Sequence, residues 1–275
     1  MPELPEVEIT RRGLLPLLNQ TVANVVIRNA SMRWPIPAHL PQTLSNQKLI
    51  ALNRRAKYIL ADFGCGTLLL HLGMSGRLSV LDRNYPPEKH DHFDIAFTDG
   101  RVLRLRDPRR FGAVLWAGSA PNEHALLCEL GPEPLDDSFN AKHLFDGIRT
   151  LSAAIKVAIM DAHLVVGVGN IYASESLFRA RIHPETPAKL LTIKQCEKLV
   201  HEIKTTLQDA LNAGGSSLKD FFGADGNPGY FQQEYFVYGR TNQPCKVCSK
   251  LIQNIRLGQR STFYCSHCQK RAKVA

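Results

Sequence analysis

Long apolar stretches are absent from this chain of 275 residues. No run approaches the roughly 18–20 apolar residues that a bilayer-spanning helix needs, so we expect no membrane partner. The opening residues also lack the basic segment and apolar core of a secretory signal, which predicts a cytoplasmic protein. The hydrophobic fraction of 44% is ordinary for a folded chain, and the length allows two domains with cores of their own.

Acidic residues are absent from the last part of the chain. From Arg240 onward there are eight Lys and Arg residues and no Asp or Glu, so this segment carries nearly all of the net charge of +9. A basic tail on a nearly neutral body indicates a polyanionic partner.

Disulfide bonds are not expected in a cytoplasmic chain, although the sequence has seven cysteines. Four of them form two CxxC pairs separated by 16 residues: Cys245, Cys248, Cys265 and Cys268. This spacing is typical of four thiolate ligands around one structural zinc ion. The other three are predicted to be reduced core residues: Cys65, Cys128 and Cys196.

The chain begins Met1-Pro2-Glu3. Removal of Met1, which a small second residue such as proline permits, would leave Pro2 as a secondary amine. An α-amino group titrates near pH ~8, so part of it is neutral at pH 7 and can attack the aldehyde carbon of a sugar. Glu3 is adjacent and can serve as a general acid or base.

Short apolar or alternating runs dominate the first half of the chain. A helix is predicted over residues 5–18, and strands are predicted over residues 22–27, 49–52, 58–62, 68–72, 93–97 and 103–105. Asp99-Gly100 is a strong hairpin signal between the last two strands. The pattern predicts an α+β chain that opens with a β-sandwich and a leading helix.

Three motifs interrupt this β pattern with residues unsuited to a core. Residues 54–58 (RRAKY) are basic at a predicted strand start, and residues 71–77 (HLGMSGR) place Met74 between two glycines. Residues 107–112 (DPRRFG) place two arginines and an aromatic ring on a turn. Apolar and cationic residues on turns are typical of proteins that unstack the bases of DNA. An enzyme that acts on a base within duplex DNA has to unstack that base.

Helical periodicity follows a predicted domain boundary at residues 131–135 (GPEPL). One apolar helix face is predicted over residues 151–162, with Lys156 on the opposite side. In residues 164–175 (LVVGVGNIYASE) two glycines precede Asn170 at a helix N-cap position, where bare backbone N–H groups bind phosphate.

A long helix is predicted over residues 192–213, where Thr192 and Gln195 form a capping box. The Gly-rich residues 216–231 are too long for a simple connection and predict a mobile segment or a lid. Residues 259–265 alternate like one strand of a hairpin that zinc would hold together.

Six of these motifs together resemble the bacterial formamidopyrimidine-DNA glycosylase family, and the likeness extends over almost the whole chain. The motifs are PELPEVE at the start, RRAKY, HLGMSGR, DPRRFG, LVVGVGNIYASE and the paired cysteines. The resemblance implies a C-terminal helical domain with a helix–two-turn–helix unit and a four-cysteine zinc finger. It implies domains at residues 1–131 and 135–235 and a zinc hairpin at residues 236–275.

The activity that the resemblance implies is excision of oxidised purines, 8-oxoguanine and formamidopyrimidines, from duplex DNA, followed by β,δ-elimination at the abasic site. Pro2 and Glu3 would carry the chemistry, with Lys57 and Arg260 at the flanking phosphates. The other residues that the resemblance assigns to DNA contact, to filling the void or to the lesion loop are His90, Lys156, Asn170, Met74, Arg109, Phe111, Lys219 and Tyr230. We expect a monomer with one structural zinc ion.

One segment departs from the family pattern. The family has a run of lysines before the AIK sequence, whereas this chain has Thr150-Leu151-Ser152, so that Arg149 or Lys156 would have to replace the lost contact. Two alternatives stay open at this point. The first is the sister activity on oxidised pyrimidines, and the second is a non-catalytic zinc-dependent DNA-binding protein.

Overall fold

The computed structural model describes residues 2–214 and 235–271, which form two compact units. Of these residues, 2–129 and 213–214 belong to the first unit, and 130–212 and 235–271 belong to the second. The predicted loop residues Lys219 and Tyr230 lie outside the described part of the chain. Within the described part, no helix has both the length and the apolar character needed to cross a membrane.

The first unit is a two-sheet sandwich with a leading helix, as predicted. Its helices are α1 (Leu4–Gly13) and α2 (Leu40–Leu44), with a short 3₁₀ turn at Leu15–Leu17. Its strands are β1 (Val22–Ile27), β2 (Ala51–Arg55), β3 (Tyr58–Asp62), β4 (Thr67–His71), β5 (Arg77–Asp82), β6 (Asp91–Phe97), β7 (Arg101–Arg106) and β8 (Ala113–Gly118). They form two antiparallel sheets with the orders β1-β6-β7-β5 and β2-β3-β4-β8.

Alternate residues of both sheets build one hydrophobic core. Phe93, Ile95 and Phe97 of β6 belong to it, and each is at most 2% exposed. Because side chains of a strand alternate between the two faces, this period of two puts the polar residues on the other face of each sheet. The two glycine-containing loops that carry Met74 and Phe111 join strands of different sheets, β4 to β5 and β7 to β8.

Several predicted boundaries in this unit differ from the structure. The helix predicted over residues 5–18 ends at Gly13, because Pro16 has no N–H to donate and the chain tightens into the 3₁₀ turn. Strands β5 and β8 were not predicted. Residues 54–58 contain the start of β3 at Tyr58, as predicted, and also the end of β2 and the turn between the two strands, with Ala56 in the left-handed region at φ 52°.

Besides a short 3₁₀ turn at Ala188–Leu190, the described residues of the second unit form four α-helices and one hairpin. They are α3 (Ala141–Ile148), α4 (Ile155–Ala158), α5 (Asn170–Ala180), α6 (Ile193–Asn212), β9 (Gln253–Leu257) and β10 (Arg260–Tyr264). The capping box before α6 forms as predicted, with the Thr192 N–H donating to Gln195 Oε1 at 2.9 Å and the Gln195 N–H to Thr192 Oγ1 at 3.3 Å.

The apolar helix predicted over residues 151–162 is wrong in extent. Only Ile155–Ala158 is α-helical, because the preceding residues pair with another segment instead. The Ala188 N–H donates to the carbonyl of Ala153 and the Ile155 N–H donates to that of Thr186. Backbone groups used in this pairing cannot also form helix hydrogen bonds, so the periodicity of the sequence is overridden by a tertiary contact.

Two of the three isolated cysteines were wrongly predicted as core residues. Cys196 on α6 is fully buried, but Cys65 and Cys128 are exposed. Cys65 lies in the turn between β3 and β4, flanked by two glycines with positive φ, so its apolar sequence neighbours do not cover it.

Candidate nucleic-acid interface and metal centre

The amino terminus is fixed by the first turn of α1. Glu3 is the N-cap of this helix, and its N–H donates to Glu6 Oε2 at 2.9 Å in a reciprocal capping box. Glu3 is 2% exposed and Glu6 is fully buried, whereas Pro2 directly before them is half-buried. The capping box therefore fixes the backbone of Glu3, the residue to which Pro2 is bonded.

A cluster of arginines around Glu8 holds α1 against β2. Arg11 Nη1 donates to the carbonyl of Leu52 at 2.9 Å, and Arg54 Nε lies 3.4 Å from Glu8 Oε2. Burial opposes ionisation of Glu8, but hydrogen bonds from Arg11 and Arg12 and the nearby positive charges outweigh it and lower its pKa to about 2.

Lys57 is half-buried in the β2–β3 hairpin, where its charge acts on His71. Burial first, and then the positive charges of Lys57 and Arg33, lower the pKa of His71 to about 4. The imidazole is thus neutral at pH 7, and its Nδ1 accepts a hydrogen bond from the Gly73 N–H at 3.0 Å. This bond orients the turn that leads to Met74.

The three residues predicted to fill a void in DNA lie at the surface of the first unit. Met74 is 36% exposed and Phe111 is 45% exposed, so both apolar side chains are accessible from solvent. The Arg109 guanidinium stacks over the Phe111 ring at 4.9 Å from its centre. Exposed apolar and cationic groups on rigid turns are suited to insertion between bases.

His90 and His92 lie two residues apart but have different surroundings. His90 is half-buried, while the buried His92 Nε2 donates to the carbonyl of Asp107 at 2.9 Å. Within residues 2–214 and 235–271, the four paired cysteines are the only group of three or more candidate metal ligands that converge. His92 therefore supports the loop at Asp107, and His90 is left at the surface.

The sequence predicted that Lys156 lies on the outer face of a helix, but in the structure Lys156 is buried. It is 1% exposed, and its ammonium donates to Asn170 Oδ1, to Thr262 Oγ1 at 2.8 Å and to the carbonyl of Ser261 at 3.2 Å. The ammonium is thus directed at protein acceptors in the interior of the second unit. The periodicity that suggested an exposed position is lost because α4 is only one turn long.

Asn170 is the first residue of α5, and the N-cap position predicted for it belongs to Gly169. Since lysine has donors and no acceptor, the oxygen of the Asn170 amide must face Lys156. The amide nitrogen then points the other way and donates to the carbonyl of Ser261 at 3.0 Å. The same geometry fixes the direction of the second N–H of the Asn170 amide. This N–H lies at the N-terminus of α5.

Arg260 begins β10 and is exposed. It lines a cavity of about 320 Å³ between α4 and the β9–β10 hairpin, together with Lys156 and Gly258. The same strand supplies Ser261 and Thr262 to Lys156, so Arg260 and Asn170 are connected through one short network.

Glu175 was not identified from the sequence. This buried residue of α5 accepts hydrogen bonds from the N–H groups of Phe236, Val237 and Tyr238 at 2.8–2.9 Å, so it fixes the chain where it enters the zinc hairpin. A glutamate inside a helix carries no local sign of this role, because its partners are about 60 residues away.

The four paired cysteines converge as predicted. Their sulfur atoms lie within 4.8 Å of one another, with Cys248 Sγ 3.4 Å from Cys265 Sγ and Cys245 Sγ 4.0 Å from Cys268 Sγ. Four thiolates at about 2.3 Å from a tetrahedral zinc ion would be ~3.8 Å apart, so the cluster fits one such ion. A small apolar cluster with Phe178, Val237 and Ile252 surrounds the four cysteines. Such a small core stabilises the hairpin weakly unless a metal ion is bound.

Comparison with known proteins gives matches along the whole chain. Residues 1–114 match the formamidopyrimidine-DNA glycosylase N-terminal domain and residues 130–222 match the H2TH domain of the same enzyme. Residues 242–271 match the zinc finger found in FPG and IleRS. A formamidopyrimidine-DNA glycosylase of Methylobacillus flagellatus is 69% identical over 270 residues, covering 98% of this chain and 97% of the relative.

Solved structures agree with these matches. A MutM structure in complex with DNA containing carbocyclic 8-oxo-G has a TM-score of 0.90 and 33% identity, covering 98% of this chain and 100% of the other. The Lactococcus lactis Fpg in complex with DNA containing an abasic site has a TM-score of 0.90 and 31% identity at the same coverage. Three domain matches, a close relative and two similar folds agree with the expectation from the motifs, and the chain belongs to the formamidopyrimidine-DNA glycosylase family.

Proposed function

We propose that this chain is a base-excision repair DNA glycosylase with AP-lyase activity that removes oxidised purines from duplex DNA. The observation that carries the proposal is the position of Pro2. It is bonded to Glu3, whose backbone is held by the Glu3–Glu6 capping box. Rigid placement of a nucleophile lowers the entropic part of a reaction barrier. The related structures bound to 8-oxo-G and abasic-site DNA support this choice of substrate.

The chemistry follows from a secondary amine. The Pro2 nitrogen attacks C1′ of the damaged nucleotide, the bond to the base breaks, and the base leaves with a proton. Glu3 donates a proton to O4′ as the sugar ring opens, which leaves an iminium between Pro2 and C1′. The iminium acidifies the C2′ proton, and its removal expels the 3′ phosphate. A second elimination expels the 5′ phosphate.

Cationic and amide groups hold the DNA backbone in this proposal. Lys57, Arg260 and His90 contact phosphates, and the second N–H of Asn170 donates to a phosphate beside the lesion. Lys156 acts through Asn170 and does not touch DNA, since its ammonium is buried against three protein acceptors. Thr150-Leu151-Ser152 offers no cation in place of the family lysines, and the exposed Arg149 directly before it is our candidate for the replacement contact.

Met74, Arg109 and Phe111 fill the gap left by the extruded nucleotide, and Arg109 reads the orphaned base. The zinc ion has a structural role in which the four cysteines hold the β9–β10 hairpin that carries Arg260. Lys219 and Tyr230 are assigned to the lesion loop by their place in the sequence alone. The enzyme acts as a cytoplasmic monomer, with the domain limits 1–131, 135–235 and 236–275.

Borohydride trapping tests the proposal, because it reduces an iminium to a stable covalent adduct. A duplex with one 8-oxoguanine should trap the wild-type chain, and Pro2→Gly should reduce trapping roughly tenfold or more through loss of the secondary amine. Pro41→Gly, which changes a proline in the first turn of α2, should trap like the wild type. Full trapping by protein whose mass shows an intact Met1 would refute the proposal.

A lesion panel distinguishes the sister activity. Duplexes that differ only in carrying 8-oxoguanine, a formamidopyrimidine or an oxidised pyrimidine should be cleaved fastest at the purine lesions. Faster cleavage of the pyrimidine lesion would assign the chain to the other branch.

A further inference from the structure

The two loops that carry the void-filling residues are in backbone contact. A Cβ added to Gly73 would lie 2.3 Å from the carbonyl carbon of Phe111, and one added to Gly112 would lie 2.7 Å from the carbonyl oxygen of His71. Only glycine permits this approach. The loop at residues 72–76 and the loop at residues 107–112 therefore cannot move independently without breaking their packing.

A single buried carboxylate connects these loops. Asp107 is fully buried, and its Oδ1 accepts a hydrogen bond from the Ser75 hydroxyl at 2.6 Å. Its Oδ2 accepts from the Gly112 N–H at 2.8 Å. Ser75 Oγ in turn accepts from the Arg109 N–H at 3.2 Å, so one hydroxyl lies between the two loops.

The same network orients the inserted side chains. Ser75 follows Met74 directly, and Arg109 is tied to Ser75 through its backbone. Arg110 adopts a left-handed conformation at φ 57°, and across this residue Arg109 and Phe111 stack on each other at the surface. A carboxylate that accepts at both oxygens from short, charge-assisted hydrogen bonds is a strong restraint on such a turn.

We propose that Asp107 and Ser75 form a latch that fixes Met74, Arg109 and Phe111 as one rigid wedge, and that this latch sets the selectivity for the base opposite the lesion. The inference rests on the proposed function, in which Arg109 reads the orphaned base. Asp107 is a positioning residue here, because it is buried beneath the loops and acts through Arg109 and Ser75.

Two substitutions separate the latch from general stability. Ser75→Ala removes the bond between the loops and keeps the Asp107–Gly112 bond within one loop, while Ser75→Thr restores the hydroxyl. Asp107→Asn keeps the side-chain volume but replaces one acceptor oxygen with an amide N–H and removes the negative charge, so either the Gly112 N–H or the Arg109 N–H then faces a donor. Ser79→Ala makes the same change on β5, away from both loops, and serves as the matched control.

The readout is the ratio of single-turnover excision rates for 8-oxoguanine opposite cytosine and opposite adenine. We expect Ser75→Ala and Asp107→Asn to reduce this ratio roughly five- to tenfold, as loss of one charge-assisted hydrogen bond permits. Incision of a single-stranded abasic oligonucleotide, which has no opposite base, should change less than the ratio does. Ser75→Thr should recover most of the selectivity, and Ser79→Ala should match the wild type.

An unchanged ratio in both Ser75→Ala and Asp107→Asn would overturn the latch. The latch would also be overturned if incision of the single-stranded oligonucleotide fell by the same factor as the ratio of excision rates, because that pattern indicates general damage to the fold. If the wild-type chain does not excise 8-oxoguanine from any duplex, the proposed function and the latch are both refuted. If the wild type is active and the variants keep its ratio of excision rates, only the latch is refuted.

Discussion

Lys156→Met tests the network that links Asn170 to the zinc hairpin. The substitution removes an ammonium that donates to Asn170 Oδ1, Thr262 Oγ1 and the carbonyl of Ser261, and it puts an unbranched apolar side chain in nearly the same volume. The perturbation is therefore electrostatic, with little loss of packing.

The expected magnitude combines two opposing effects. The fully buried Thr262 and the Asn170 amide each lose a charged donor, at about 1–3 kcal/mol for each unsatisfied acceptor. Removing a buried charge returns several kcal/mol of its desolvation cost. We expect a net loss of about 1–2 kcal/mol in the free energy of unfolding, together with a larger effect on DNA binding because the Asn170 amide is no longer held in one orientation.

A double-mutant cycle measures this coupling. Binding of a duplex with a stable abasic-site analogue is followed by fluorescence anisotropy for the wild type, Lys156→Met, Asn170→Ala and the double variant. Each single variant should weaken binding roughly tenfold, and the double variant should be little worse than either, a coupling of about 1–2 kcal/mol. Additive effects would show that Lys156 does not act through Asn170. Lys156→Arg should not rescue, because a guanidinium fork does not fit three acceptors arranged around one point.

Two further predictions concern acid sensitivity and zinc. The pKa of His71 in the folded chain, about 4, lies below its ordinary 6.5, so the unfolded chain binds the extra proton first and stability falls as pH drops through 6.5 toward 4. Urea unfolding should show a loss of about 2 kcal/mol between pH ~7 and ~5 that is absent in His71→Asn, and an equal loss in both proteins would contradict the assignment. Cys245→Ser should release zinc to a chromogenic chelator and weaken DNA binding, because the small core around the cluster cannot hold the hairpin alone. The exposed Cys65→Ser should retain the metal, and equal zinc content in all three proteins would refute the cysteine cluster as the site.

Local patterns predicted the elements whose stabilising contacts lie nearby in sequence. The alternation at Phe93, Ile95 and Phe97 gives the core strand β6, and Thr192 with Gln195 gives the start of α6. In both cases the deciding interactions span two to four residues, so the sequence order already contains them.

Long-range contacts explain the predictions that were wrong. The helix expected over residues 151–162 is cut short by backbone pairing with residues 186–189, and Lys156 is buried by acceptors about 105 residues further along the chain. Glu175 and Asp107 were missed as organising residues for the same reason. The donor that ties Asp107 to the other loop is 32 residues away, and the donors to Glu175 begin 61 residues away, so these contacts have no local signature.

The sequence by itself determined the chemical groups of this protein: a proline at position 2 beside a glutamate, four cysteines at zinc spacing, and apolar and cationic residues on glycine turns. These are properties of residue type and short spacing, which folding does not alter. Only the tertiary structure decided how the groups are held, with Asp107 beneath the wedge, Lys156 behind Asn170 and Glu175 under the zinc hairpin. Each of these is a buried polar group, and such a group is stable only where distant parts of the chain bring its hydrogen-bond partners to it.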